Sequence, residues 1–243
     1  MNIVAIIQAR MGSSRLPGKV LKDIGGRTML ARVVRRARRS SLIDESVVAT
    51  TIEPSDAPIV KECENLRVGI FQGSEMDVLD RYYHGAKAYD ADAIVRITSD
   101  CPLIEPEVID RVIQAFLDEA PDYASNSIER SYPRGLDVEV LTFDALAEAW
   151  KMAKAPYERV HVTPFIYQNP SRFRLLSVKG EIDCSHFRWT VDTQEDLDFV
   201  RAIYSRLGNI DTFNWKDVLA ILEKEPALAE INCHIRQKSL EEG

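Results

Sequence analysis

The sequence predicts a single α/β domain, spanning residues 1–243, built on a doubly wound and mostly parallel sheet with a small inserted lobe at about residues 121–170. Three observations predict it. Short runs rich in β-branched residues alternate with amphipathic helical patterns through the first half. Several of these runs are almost wholly apolar, as strands covered on both faces are. And 243 residues, 45% of them hydrophobic, suffice for one large core.

Residues 2–8 (NIVAIIQ) form the first such run and end in polar residues and glycine, as a buried strand ends at a parallel sheet's carboxyl edge. Residues 46–51 (SVVATT), 68–71 (VGIF) and 92–98 (DAIVRIT) resemble it. Helical patterns at residues 29–39, 57–65 and 77–89 separate them, and another occupies 106–117. A polar, turn-rich stretch follows from Pro121 (PDYASNSIERSYPRG), then an alternating strand at 136–141, helices at 143–152 and 157–168, and strands near 173–178 and 186–190. A last clear helix is predicted from Thr193, with Asp196 three residues on and Leu197, Val200, Ile203, Tyr204 and Leu207 along one face. The end from Gln237 reads as mobile.

Composition narrows the function. The first 22 residues hold no uninterrupted apolar stretch, so neither a signal peptide nor a membrane-spanning helix is expected, and the protein is expected in the cytoplasm without membrane insertion. Cys63, Cys101, Cys184 and Cys233 show no paired spacing, and the four histidines are scattered, which disfavours a zinc enzyme. Net charge is -7, yet residues 1–40 hold ten Lys and Arg against Asp23 alone, leaving 21 cations against 37 acids elsewhere. That asymmetry fits a local anion site better than a nucleic-acid surface, and no nucleic-acid partner is expected. Arg32, Arg35, Arg36, Arg38 and Arg39 read as the solvated face of the helix at 29–39.

The densest chemical signal is QARMGSSRLPGKVL, residues 8–21, at the end of the first strand. Gly12 and Gly18 let the backbone approach a ligand, Ser13 and Ser14 offer hydroxyls and amides, and Arg10, Arg15 and Lys19 supply three positive charges. Pro17 stiffens the loop. Such a loop suits a polyphosphate, but it is neither a P-loop, since five residues separate Gly12 from Gly18 and Val20 follows Lys19, nor a Gly-x-Gly-x-x-Gly fingerprint. Asp100, two residues past the strand at 92–98, and Asp192, just before the helix opening at Thr193, fall at the same predicted sheet edge. They suit a metal ion that neutralises phosphate charge, though a turn acid and an acceptor for helix amides explain them too.

With IIQARMGSSRLPGKVL, five more segments in order resemble the cytidylyltransferase family that includes CMP-KDO synthetases, acylneuraminate cytidylyltransferases and SpsF-type spore coat polysaccharide proteins. They are GSEMDVLDRYY (73–83), RITSDCPLI (96–104), YPRGLDVEV (132–140), HVTPFI (161–166) and RWTVDTQEDL (188–197), and the SpsF-type branch is nearest. The resemblance implies a nucleotide-diphospho-sugar transferase-like fold with a small dimerising lobe, hence a homodimer. It implies transfer of CMP from CTP to an acidic sugar with release of pyrophosphate, for surface polysaccharide biosynthesis. It makes Asp100 and Asp192 ligands of Mg2+, and puts cytosine and ribose near Gln8, Ala9, Ser74 and Thr98. Arg10, Arg15 and Lys19 then meet the triphosphate.

A sugar acid needs a cation beside hydroxyl-binding groups, and Arg134, Asp137, Glu139, Arg159 and His161, in or just after the lobe, are the candidates; a surface ion pair explains each nearly as well. CMP-KDO synthetases carry glutamate where this chain has Cys101, and their acceptor-binding segments are not recognisable here. Other nucleotides, a sugar-phosphate acceptor, or a non-catalytic nucleotide-binding module are the alternative readings.

Overall fold

A computed structural model describes residues 1–240. Seven strands form one sheet in the order β3-β2-β1-β4-β6-β5-β7. They are β1 (Ile3–Gln8), β2 (Glu45–Thr51), β3 (Gly69–Gly73), β4 (Ala93–Thr98), β5 (Tyr123–Ser125), β6 (Glu139–Thr142) and β7 (Leu175–Ser177). β1, β2, β3 and β4 are parallel, and β6 runs antiparallel to both β4 and β5. The helices are α1 (Met29–Ala37), α2 (Ala57–Leu66), α3 (Val78–Ala88), α4 (Pro106–Glu119), α5 (Phe143–Met152), α6 (Pro156–His161), α7 (Pro164–Tyr167), α8 (Gln194–Arg206), α9 (Trp215–Lys224) and α10 (Ala227–Glu230).

Strand alternation explains why helices cover both faces. Ile3, Ala5 and Ile7 of β1 enter a core shared with α1, α4 and α8, while Val4 and Ile6 enter a second core shared with α3 and α5. Four parallel strands thus deliver Gln8, Thr51, Gly73 and Thr98 to one carboxyl edge, where crossover loops leave the sheet. The predicted strands at 2–8, 46–51, 68–71 and 92–98 match β1 to β4 within two residues.

The second half departs further from the sequence reading. The stretch expected as a lobe supplies β5 and β6 to the sheet itself, and the strand predicted at 136–141 begins only at Glu139. Leu136 and Val138 instead clasp the Asn126 side chain, which donates to Leu136 O and accepts from Val138 N. Residues 186–190 are not a ladder strand; a single bridge joins Arg188 to Arg134. The helix expected over 157–168 is two short helices, because Val162 turns to φ 75° and Pro164 restarts the chain.

Two arginines overturn the expectation of a solvated α1 face. Arg32 and Arg36 are completely buried. Arg32 donates to Ile24 O, Gly25 O, Asn209 O and Asp211, and lies 4.3 Å from the Tyr204 ring centroid. Arg36 donates to Ile104 O, Asp211 O, Phe213 O and Glu105. These guanidiniums fasten the loop between α8 and α9 onto α1, satisfying carbonyls that no helix or strand engages. Replacing Arg36 with Ala leaves Glu105 buried without its counter-charge and is expected to cost about 3–5 kcal/mol in urea unfolding. Combining Arg36→Met with Glu105→Met should recover only part of that loss, since it removes the stranded charge but leaves the Ile104, Asp211 and Phe213 carbonyls without their donor.

Candidate active site

The loop after β1 is tied down at several points. Ala9 N donates to Ala49 O, Met11 N donates to Asp56, and Gly18 N closes the turn onto Met11 O. Asp56 is buried and also accepts from the hydroxyls of Thr50 and Thr51, so it pins the loop to the end of β2. Gly18 adopts φ 65°, a left-handed conformation that glycine tolerates, and this starts the 3-10 turn carrying Lys19. Backbone N–H groups of residues 12–15 bond to no protein group among the described residues, so these donors are left over beside the cleft that the same residues line.

Lys19 reaches across the carboxyl edge. Its Nζ donates at 2.9 Å to Asp100 Oδ2, to Asp192 Oδ1 and to Val191 O. Burial alone would lower the pKa of this ammonium, but the two carboxylates outweigh it and raise the pKa. Burial likewise pushes Asp100 upward, yet Lys19 and the hydrogen bonds from Thr98 and Cys101 hold it below its ordinary range. Both groups therefore stay charged at neutral pH. Asp192 also meets Arg15 at 3.0 Å and Arg188 at 2.9 Å.

The segment carrying Asp192 is positioned by backbone contact. Val191 N donates to Asp100 O, and Trp189 N and Phe187 O bond to Arg134. This close approach requires Gly135, whose φ is 111° and where an added Cβ would sit 2.6 Å from Thr190 N and from the Trp189 carbonyl carbon. Arg188 then joins Asp192 to Asp196, whose carboxylate accepts from the Asp192 and Thr193 amides.

Gln8, Ala9, Arg10, Gly12, Ser13, Ser14, Arg15, Lys19, Thr98, Asp100 and Asp192 line one cleft. Ser74 does not; its hydroxyl accepts from Asp77 N at the start of α3. Arg134, Asp137, Glu139 and His161 line a second cavity, and His161 belongs to the walls of both. Arg159 is not brought there, because Asp77 and the Trp150 carbonyl hold it against α3. Asp137 is paired bidentately with Arg130, and both Glu139 oxygens are engaged. The Arg134 guanidinium has no hydrogen-bond or ion-pair partner among the described residues.

Several site residues escaped sequence reasoning. Arg81 lines the cleft, buried, with Nε unpartnered among the described residues. Its signal was available, since it shares a helical face with Val78, Tyr82 and Gly85, where a charge has no packing reason to be. Residues 237–240, expected to be mobile, lie against the site: Gln237 accepts from Arg188, the Leu240 carbonyl meets His161 Nε2, and Lys238 lines the cleft. No three His, Cys, Asp or Glu side chains among the described residues form a group able to hold a metal alone. A cation held by Asp100 and Asp192 would take its other ligands from phosphate and water, which is how magnesium binds.

A mostly parallel sheet whose carboxyl edge gathers a cation-rich loop and two acids is suited to handling the phosphates of a nucleotide. The cytidylyltransferase family model matches residues 4–237. An uncharacterized protein of Methanocaldococcus jannaschii is 42% identical over 100% of this chain and 99% of its own length. The spore coat polysaccharide biosynthesis protein SpsF of Bacillus subtilis is 32% identical, covering 94% of this chain and 97% of that one. A solved cytidylyltransferase from Leptospira borgpetersenii superposes with a TM-score of 0.91 at 32% identity, over 98% of this chain and 99% of that chain. The chain belongs to the cytidylyltransferase family and is a CTP-dependent nucleotidyltransferase. No helix among the described residues is long and apolar enough to cross a membrane.

Gly135→Ala should be far more damaging than its size implies, since it strains φ and pushes the Trp189–Thr190 backbone away from Asp100. The expected outcome is a lowered melting temperature together with at least a tenfold loss of turnover, on the order expected when reacting groups shift by about 1 Å.

Proposed function

We propose that this protein transfers CMP from CTP to an acidic sugar of the ulosonic or nonulosonic type, releasing pyrophosphate, and that its product serves surface polysaccharide biosynthesis. The observation that carries the proposal is the Lys19 ammonium shared by Asp100 and Asp192, beside Arg15 and a loop whose amides at 12–15 have no protein partner among the described residues. In this reading the loop amides and Arg10 bind the triphosphate, and Arg15 and Lys19 meet the charge that grows on the leaving pyrophosphate. A sugar hydroxyl oxygen attacks the α-phosphorus, and the bond to the β-phosphate oxygen breaks in line with it. Asp100 and Asp192 are proposed to hold Mg2+, which when bound neutralises phosphate charge and acidifies the attacking hydroxyl. Arg81 adds a further cation at the cleft wall.

The acceptor is proposed to lie in the adjoining cavity. Arg134, without a protein partner for its guanidinium among the described residues, is the group offered to the sugar's carboxylate, and His161 stands where the two cavities meet. Burial lowers the His161 pKa, so its ring is neutral at neutral pH and adds no charge to that junction. The SpsF likeness supports the polysaccharide role.

Pyrophosphate release measured with each of the four nucleoside triphosphates against a panel of sugar acids and sugar phosphates tests the whole reading. CTP with a sugar acid is the expected productive pair; turnover confined to sugar phosphates would refute the acceptor. Lys19→Ala should lower kcat by on the order of 10²–10³ while circular dichroism stays native, and chelation of divalent cations should abolish turnover until magnesium is restored.

A further inference from the structure

A chain of polar contacts runs through the wall between the two cavities. Arg96 on β4 stands directly opposite Glu139 on β6 in the antiparallel register. The two form a close ion pair, and Glu139 also accepts from the Tyr123 hydroxyl at 2.8 Å and the Thr163 hydroxyl at 2.5 Å. Glu139 is buried, so its carboxylate holds the guanidinium in one orientation. Arg96 Nη2 then donates to Gln8 Oε1 at 3.1 Å.

A guanidinium has only donors, so it dictates which way the glutamine amide turns. The carbonyl oxygen must face Arg96, and the NH2 group must face the other way. Gln8 lines the nucleotide cleft, and its Nε2 has no partner among the described residues. We infer that Glu139 and Arg96 are positioning residues that lock the Gln8 amide as a donor toward the cleft, and that this donor selects the base through its ring N3. Cytosine carries an acceptor at N3, whereas uracil carries an N–H there, so two donors would oppose each other with uracil bound. Glu139 accordingly acts on nucleotide choice rather than on the sugar, although it borders the acceptor cavity.

The inference rests on the reading that the cleft takes CTP, and equilibrium binding tests it without any acceptor. Dissociation constants for CTP and UTP, each with magnesium, are measured by calorimetry on the full chain and on Gln8→Glu and Glu139→Gln variants. The unaltered protein should bind CTP at least about tenfold more tightly than UTP, the worth of one hydrogen bond with a stranded donor. In Gln8→Glu one carboxylate oxygen keeps the Arg96 contact and the other presents an acceptor, so the CTP:UTP preference should move toward UTP by about tenfold or more. Glu139→Gln should bring the ratio toward one while inorganic triphosphate binds as before, a separation that general loosening of the fold would not produce. An unchanged ratio in Gln8→Glu overturns the inference even where the CTP reading holds. Binding of ATP or GTP ahead of both pyrimidine nucleotides overturns the CTP reading itself.

Discussion

The active site depends on one ammonium held between two carboxylates. Lys19, Asp100 and Asp192 come from three distant parts of the chain, and none is comfortable alone in so dry a position, with side chains 11%, 24% and 16% exposed. Their mutual attraction offsets desolvation only while the geometry holds, which is why the surrounding structure is devoted to fixing it. Asp56 pins the loop that carries Lys19, Gly135 admits the strand-like segment that carries Asp192, and Arg15 and Arg188 add positive charge beside Asp192. Lys19 occupies the space between the acids.

The second cavity is organised differently. There the charges of Arg130, Asp137, Arg96 and Glu139 are already spent on one another, and Arg134 is the cation without such a partner among the described residues. Internal pairing of this kind shapes a cavity and orients its neighbours, and leaves few groups for direct contact. Of the five residues expected from sequence at the acceptor, Arg134, Asp137, Glu139 and His161 line the second cavity, while Arg159 instead holds α6 against α3.

Much of this was legible in the sequence where local rules and global packing agree. Apolar runs such as residues 2–8 reveal parallel strands because both faces are buried, and the loop after β1 and the turn after β4 bring Lys19 and Asp100 to one edge; Asp192 meets them there although the strand read before it is only a single bridge. β5 was not legible, since three residues flanked by turn formers carry no period. The 157–168 helix was misread because HVTPFI keeps a helical spacing of apolar residues through a Pro that restarts the chain. Arg32 and Arg36 were misread for a deeper reason. Some of their partners are backbone carbonyls about 175 residues away, at Asp211 and its neighbours, and nothing local marks those carbonyls as lacking a mate.

Those two arginines also bear on the order in which the protein can be completed as it leaves the ribosome. While only the first half has emerged, α1 carries two guanidiniums on the side meant for the interior, and their mates at residues 209–213 have not been made. Within that half Arg32 still meets Ile24 O and Gly25 O, and Arg36 meets Ile104 O and Glu105, so each guanidinium is only partly engaged until α8 and the turn after it arrive. The last contacts around these two cations are therefore supplied by the most distant stretch of chain that they touch.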